Sequence, residues 1–116
     1  MVIYEVRIEP KSEILEEFRM WLFDYVQDLL MLPGFVDARI LTPEAVQANE
    51  VVVQLRMKNH DALKSYLREH AEHKRAQMNA RFPNGLRIER RVYFADELSR
   101  RTPPPRNLIM PDFSEP

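Results

Sequence analysis

Glycine occurs only twice in this chain, in Leu32-Pro33-Gly34-Phe35 and in Phe82-Pro83-Asn84-Gly85-Leu86. Each glycine follows a long helical pattern and precedes a strand-like run. Glycine enters the left-handed conformation that closes a helix, and proline cannot continue one. The two corners therefore cut the chain into two matching halves, each reading strand, helix, corner, strand.

The first strand is expected at Val2 to Glu9, where apolar and polar residues alternate. Val2, Tyr4, Val6 and Ile8 share one side, and period two with branched and aromatic residues marks a half-buried strand. Pro10 stops it, and Ser12 is placed to cap a helix from about Glu13 to Met31. Ile14, Leu15, Phe18, Trp21, Leu22, Tyr25, Val26 and Leu29 form its broad apolar stripe. Met20, Phe23 and Met31 lie off that stripe. They are either scattered surface apolars or a second contact with a partner or with the tail.

Phe35 to Leu41 reads as the second strand and Glu50 to Met57 as the third, joined by a loop over Thr42 to Asn49. A second helix is expected from about Ala62 to Arg81, capped by Asn59 or Asp61. Leu63, Leu67, Ala71 and Met78 make its stripe, which His70 and Lys74 interrupt. Leu86 to Phe94 is the fourth strand. From Ser99 the composition changes: Pro103-Pro104-Pro105 excludes helix or central strand. This segment is either a disordered terminus or, through Leu108, Ile109, Met110 and Phe113, a strap packed on its own domain or on a partner. The chain thus divides into a domain, residues 1–98, and a proline-rich tail, residues 99–116.

The element order β-α-β-β-α-β is that of an α+β, ferredoxin-like split βαβ unit. Four antiparallel strands carry both helices on one face. The other face is expected to hold Ile3, Glu5, Arg7, Val52, Gln54, Arg56, Glu89, Arg91 and Tyr93. Such a face either meets water or meets a copy of itself, since a two-fold interface presents one patch twice. A homodimer through this face is the favoured reading, because a small domain gains from burying Ile3, Val52 and Tyr93.

Several classes of function are disfavoured. The 17 basic and 18 acidic residues nearly cancel, so nothing steers the chain toward nucleic acid or an acidic membrane. Without cysteine there is no disulfide and no thiolate chemistry. No apolar run is long enough to span a bilayer, and the opening alternation is a strand rather than a signal peptide, so a cytoplasmic protein is expected. There is no G-x-G-x-x-G, P-loop or G-x-S-x-G, and no cofactor is expected. His70 and His73 share a helix edge beside Glu69 and Glu72, but no third ligand is evident, and a solvated charged face is the preferred reading. Arg87, Arg90, Arg91 and Tyr93 suggest the sheet of an RNA-recognition module, yet Gln54 and Arg56 stand where its stacking aromatics belong.

The opening MVIYEV, the LPGF corner, and Tyr66-Leu67, His70-Ala71 and Arg81-Phe82 around the second helix resemble a family of short bacterial proteins known only as a domain of unknown function. Lys74 departs from that pattern, where an apolar residue is usual. The family is similar to the dimeric α+β barrel superfamily, whose members pair two ferredoxin-like sheets. That resemblance covers about residues 1–94. It implies ligands held between helices and sheet, and relatives that include monooxygenases, haem-degrading enzymes, isomerases and proteins with no shown activity.

The candidate ligand-binding residues are His70, Tyr66, Trp21, Tyr25 and Lys74. His70 lies one helical turn from both Tyr66 and Lys74, while Trp21 and Tyr25 offer an apolar wall. The plainer alternative is a partly buried histidine satisfied by a carbonyl or water, with the Lys74 ammonium reaching solvent. Two functions stay open: a protein binding a small apolar or aromatic ligand between helices and sheet, or a non-catalytic structural or interaction module. A cofactor-independent, monooxygenase-like enzyme and an RNA-binding module stand behind them. The residues name no catalytic group.

Overall fold

Val2, Tyr4, Val6 and Ile8 all lie on one side of the first strand, and all are buried. This strand, β1 (Val2–Pro10), is central. The computed structural model describes residues 1–45 and 48–98. A 3₁₀ turn at Ser12–Ile14 leads into α1 (Leu15–Leu30), followed by β2 (Phe35–Leu41), β3 (Val51–Met57), α2 (His60–Glu69), α3 (Ala71–Arg81) and β4 (Leu86–Phe94). The strands form one antiparallel sheet in the order β2-β3-β1-β4. This is the ferredoxin-like arrangement. The tail expected from Ser99 onward lies outside the described residues, as do Val46 and Gln47 of the loop.

The core is a single layer between sheet and helices. Phe18, Leu22, Val26 and Leu29 of α1, with Leu63, Tyr66, Ala71 and Met78 of α2 and α3, meet the inward side chains of β1 and β3. Each large apolar side chain removed from water there contributes about 1.5–3 kcal/mol by transfer. Phe18, Leu22, Val26 and Leu29 are all buried, so the anchoring stripe of α1 lies where its periodicity puts it. No helix among the described residues is long and apolar enough to cross a membrane.

Several local expectations need correction. The helix begins later than Glu13, and the Ser12 hydroxyl does not cap it: it accepts instead from Asn49 Nδ2 at 2.7 Å. The second helix starts two residues early, at His60, although its cap is one of the two expected: the Asn59 side chain accepts from the Ala62 amide at 2.8 Å. It is then broken at His70, whose φ and ψ are −128° and −28°. The buried positions explain the break. They run Leu63, Tyr66, Ala71, Lys74, Met78, and the five-residue step from 66 to 71 slips the inward stripe off a straight 3.6-residue period. Leu67, expected in the core, is left 40% exposed.

The last correction concerns the glycines, which do different work. Gly34 is left-handed, with φ at 92°, and a Cβ there would stand 2.7 Å from the Ala62 Cβ. Gly85 is not left-handed. Its lack of a side chain makes room for Ile14, whose Cδ1 would lie 2.3 Å from an added Cβ.

The open face of the sheet holds the residues that alternation placed there. Register pairs Glu5 with Gln54 and Arg91, Ile3 with Arg56 and Tyr93, and Arg7 with Val52 and Glu89. Glu5 is nonetheless only 4% exposed. Its carboxylate accepts from Arg7 Nε at 3.1 Å, Gln54 Nε2 at 3.0 Å and the Tyr93 hydroxyl at 3.4 Å. Burial pushes the Glu5 carboxyl up, but those donors outweigh it and hold it below the ordinary range. Arg56 donates through Nε and Nη2 to the two Asp37 carboxylate oxygens and through Nη1 to Glu97 at 2.7 Å.

Candidate functional site

Trp21 and Tyr25 stand four residues apart on α1, so their rings lie one above the other. The centroids are 4.7 Å apart and the planes 25° from parallel. Phe82, at the end of α3, stands nearly perpendicular to Trp21 at 5.3 Å and to Phe18 at 5.2 Å. The Tyr25 hydroxyl donates to the Lys74 carbonyl at 2.7 Å, and the Lys74 ammonium lies 4.9 Å from the centroid of the Tyr25 ring. Lys74 is 8% exposed, so its stem fills the apolar position where a lysine was unexpected.

This stack borders a cleft of about 510 Å³ between α1 and α3. Asp24 and Asp28 line it from α1, one turn apart, and Gln77 and Arg81 line it from α3. Arg81 is paired with Glu17 at one end. Carboxylate oxygens on one wall accept hydrogen bonds, while the indole offers a flat apolar surface.

Tyr66 and His70 form a second group that does not line this cleft. The Tyr66 ring is 5% exposed and wedged between Tyr4, at 6.0 Å, and Phe35, nearly perpendicular to it at 5.1 Å. His70 lies along it at 6.5 Å, at the helix break, with its side chain partly in solvent. Backbone bonds link the two groups: the His70 amide donates to the Tyr66 carbonyl at 2.9 Å, and the Lys74 amide to the His70 carbonyl at 3.0 Å. The structure thus joins Trp21, Tyr25 and Lys74 into one unit and Tyr66 with His70 into another.

Both inward phenols stay protonated at neutral pH. Burial pushes Tyr66 up to about 12, with nearby Tyr4 adding to it. Burial, helped by Tyr66, likewise raises Tyr25 well above the ordinary tyrosine range, against the pull of Arg90. They act as hydrogen-bond donors and packing surfaces rather than as bases.

Sequence reading missed Tyr4 and Arg75, whose Nη2 donates to the Tyr4 hydroxyl at 3.2 Å, tying α3 to the central strand. It also missed Asp24 and Asp28. Their signal was present, since each follows an aromatic of the stack by three residues and so shares its helix edge. Among the described residues, no three histidine or acidic side chains converge as a metal site.

Fold and site together define an α+β protein of the ferredoxin-like class, with an aromatic stack facing a polar cleft on the helix side. The chain belongs to the family described as a domain of unknown function, DUF4286, which it matches over residues 1–94. No functionally curated protein matches it. Among solved structures it is similar to a mutant form of SnoaB, a cofactor-independent oxygenase from Streptomyces nogalater. The two share 19% identity at a TM-score of 0.66, covering 84% of this chain and 94% of that one. It is also similar to a proposed antibiotic biosynthesis monooxygenase from Deinococcus radiodurans, at 17% identity and a TM-score of 0.63, covering 85% and 96%. A conserved protein from Methanosarcina mazei Go1 shares 16% identity at a TM-score of 0.61, covering 80% and 91%. At such identities the likeness establishes the fold.

Proposed function

We propose that this protein is a homodimeric binding protein for a small planar aromatic molecule, with two sheets paired face to face and one helix-side cleft per subunit. The observation that carries the binding reading is the Trp21–Tyr25 stack at the cleft, fixed from behind by the Lys74 carbonyl. A pre-positioned aromatic surface can stack a flat ring while the polar side chains around it fix the ring's orientation. Because Asp24 and Asp28 supply acceptors, the favoured ligand carries N–H or O–H donors on its ring edge. Pairing is supported by the open sheet face, where Ile3 and Tyr93 lie among the Arg7–Glu50 and Arg56–Asp37 ion pairs, whereas Val52, expected to gain from a partner, is already buried within the single chain. A patch of mixed sign suits a two-fold interface, since rotation brings cations of one copy over anions of the other.

Trp21 is the only tryptophan, so its fluorescence reports on the cleft directly. Titration with aromatic amines and phenols should quench it saturably, and Asp28→Asn should weaken the binding. Quenching that rises linearly without saturation for every such probe would remove the binding reading. Native mass spectrometry of protein from its own host reads subunit number and retained ligand together, and a monomer at micromolar concentration would remove the dimer.

A second reading, a non-catalytic structural or interaction module, draws support from Tyr66, which is packed as core rather than presented to a cavity. Under that reading His70→Ala and Asp28→Asn leave every binding property of the chain unchanged.

A further inference from the structure

Helix α1 has a second apolar side that its own sheet leaves open. Phe23, Val26 and Leu30 face Ala38 and Ile40 of β2 across a groove of about 430 Å³. Phe23 is 58% exposed and Ile40 36%. The sheet-face dimer proposed above uses the opposite side of β2 and leaves this groove uncovered. We propose that the groove is the docking site of the chain's own segment 99–116, in the same molecule.

The path of the chain out of β4 leads there. The Ala95 amide donates to the Met1 carbonyl at 3.0 Å, and Glu97 accepts from Arg56 of β3 at 2.7 Å. Residues Ala95 to Glu97 share a hollow with Asp37, Ala38 and Arg39 of β2. The chain therefore turns from β4 at the Met1 end of β1 toward β3, and borders the same hollow as β2, the edge strand that forms one wall of the groove. Residues 99–107, extended at about 3.1 Å each as prolines favour, span roughly 28 Å. Passing round one edge strand to the helix side requires about one layer spacing, ~10 Å. Reach is ample.

The chemistry of the segment matches the groove. Leu108, Ile109 and Met110 form an apolar run, and Phe113 follows between Asp112 and Glu115. Apolar side chains seat against Phe23, Val26 and Ile40, while the flanking carboxylates meet Arg19 on the groove's rim. Pro103-Pro104-Pro105 limits the conformations lost when the linker is ordered, which lowers the entropic cost of docking.

The chain has no cysteine, so an engineered pair reports cleanly. In the full chain, Gln27→Cys with Met110→Cys should close an intramolecular disulfide at least about tenfold faster than Arg87→Cys with Met110→Cys, because docking raises the local concentration. Arg87 lies on β4, at the opposite edge of the sheet. Equal rates, or a covalent dimer in place of the intramolecular product, would overturn the proposal. A second measurement leaves the groove intact: Leu108→Ser, Ile109→Ser and Met110→Ser combined should speed amide exchange across Phe23–Leu30 and Ala38–Ile40 by roughly tenfold. Unchanged exchange at those amides overturns it equally.

Discussion

The Tyr25 hydroxyl is held 2.7 Å from the Lys74 carbonyl, across the seam between α1 and α3. One hydrogen bond thus joins the helix that anchors the core to the helix that follows the break at His70. It also fixes the ring on which Trp21 stacks. A phenol in this position donates without competing water, because most of its surface is covered.

Removing that donor should loosen the seam. Tyr25→Phe keeps the ring and leaves the Lys74 carbonyl without its side-chain partner, costing about 1–2 kcal/mol of stability in urea unfolding. The same bond implies an alkaline limit. Tyr25 and Tyr66 have folded-state pKa values raised above that of the unfolded chain, so above pH about 10 the unfolded state sheds protons that the folded state keeps. Stability should then fall as pH rises from about 10 toward about 12, with tyrosinate absorbance for these two residues appearing together with unfolding. Tyrosinate formation at ordinary pH in a chain that stays folded would contradict the burial argument.

Glu5 sets the acid limb. Its folded-state pKa is depressed by Gln54, Arg7 and Tyr93, so it stabilises the fold above the unfolded carboxylate pKa and that contribution is lost as pH falls. Glu5→Gln should remove part of this acid dependence and leave a flatter profile below pH about 5. It should also destabilise the chain by roughly 1–3 kcal/mol at neutral pH, since Arg7 keeps its charge without its closest acceptor. Urea midpoints measured across the acid range for both proteins test this. Superimposable acid limbs would show that other carboxylates set them.

The fold was legible because its two strongest signals are local. Strict alternation in Val2–Ile8 and Val51–Met57 assigns faces one residue at a time, and the α1 stripe is apolar enough to survive counting errors at its ends. The break at His70 was less legible. It contains neither glycine nor proline, and the shift from Tyr66 to Ala71 becomes visible only when the packed positions are known. Glu5 was placed on the correct face, yet its burial depends on Gln54 and Tyr93, which arrive from strands far along the chain. Lys74 was placed in the inward stripe, and its stem does pack there, but that the ammonium lies at the Tyr25 ring depends on a helix far away in the chain.

The two glycines should respond unequally to alanine. At Gly34 the backbone is left-handed, and the added carbon meets Ala62 Cβ, which sits on α2 and cannot rotate away. Gly34→Ala should cost about 1–3 kcal/mol and open the corner between α1 and β2. At Gly85 the obstacle is the end of the Ile14 side chain, which can change rotamer at a cost of about 0.5–1.5 kcal/mol. The comparison is a pair of urea curves. A Gly85→Ala variant less stable than Gly34→Ala would show that the space beside Ile14, and not backbone handedness, is the tighter constraint.

Lys74 offers the final prediction, because two effects oppose each other there. Its stem supplies packing at an inward position, and its ammonium gains from the Tyr25 ring about 0.5–1 kcal/mol where water still reaches it. Against that stands the cost of partly desolvating a cation that has a ring but, among the described residues, no carboxylate within ion-pair distance. Methionine has a similar length, no charge and a flexible chain that fills the same space. Lys74→Met should therefore leave stability unchanged or raise it by up to about 1 kcal/mol, while Lys74→Ala should lower it by about 2 kcal/mol through the cavity it opens. The backbone carbonyl that receives the Tyr25 proton is unaltered in both. Ligand quenching of Trp21 fluorescence in the methionine variant then distinguishes packing from charge: retained affinity means that the stem and the carbonyl suffice to hold the stack, and lost affinity means that the ammonium's hold on the Tyr25 ring is needed to shape the cleft.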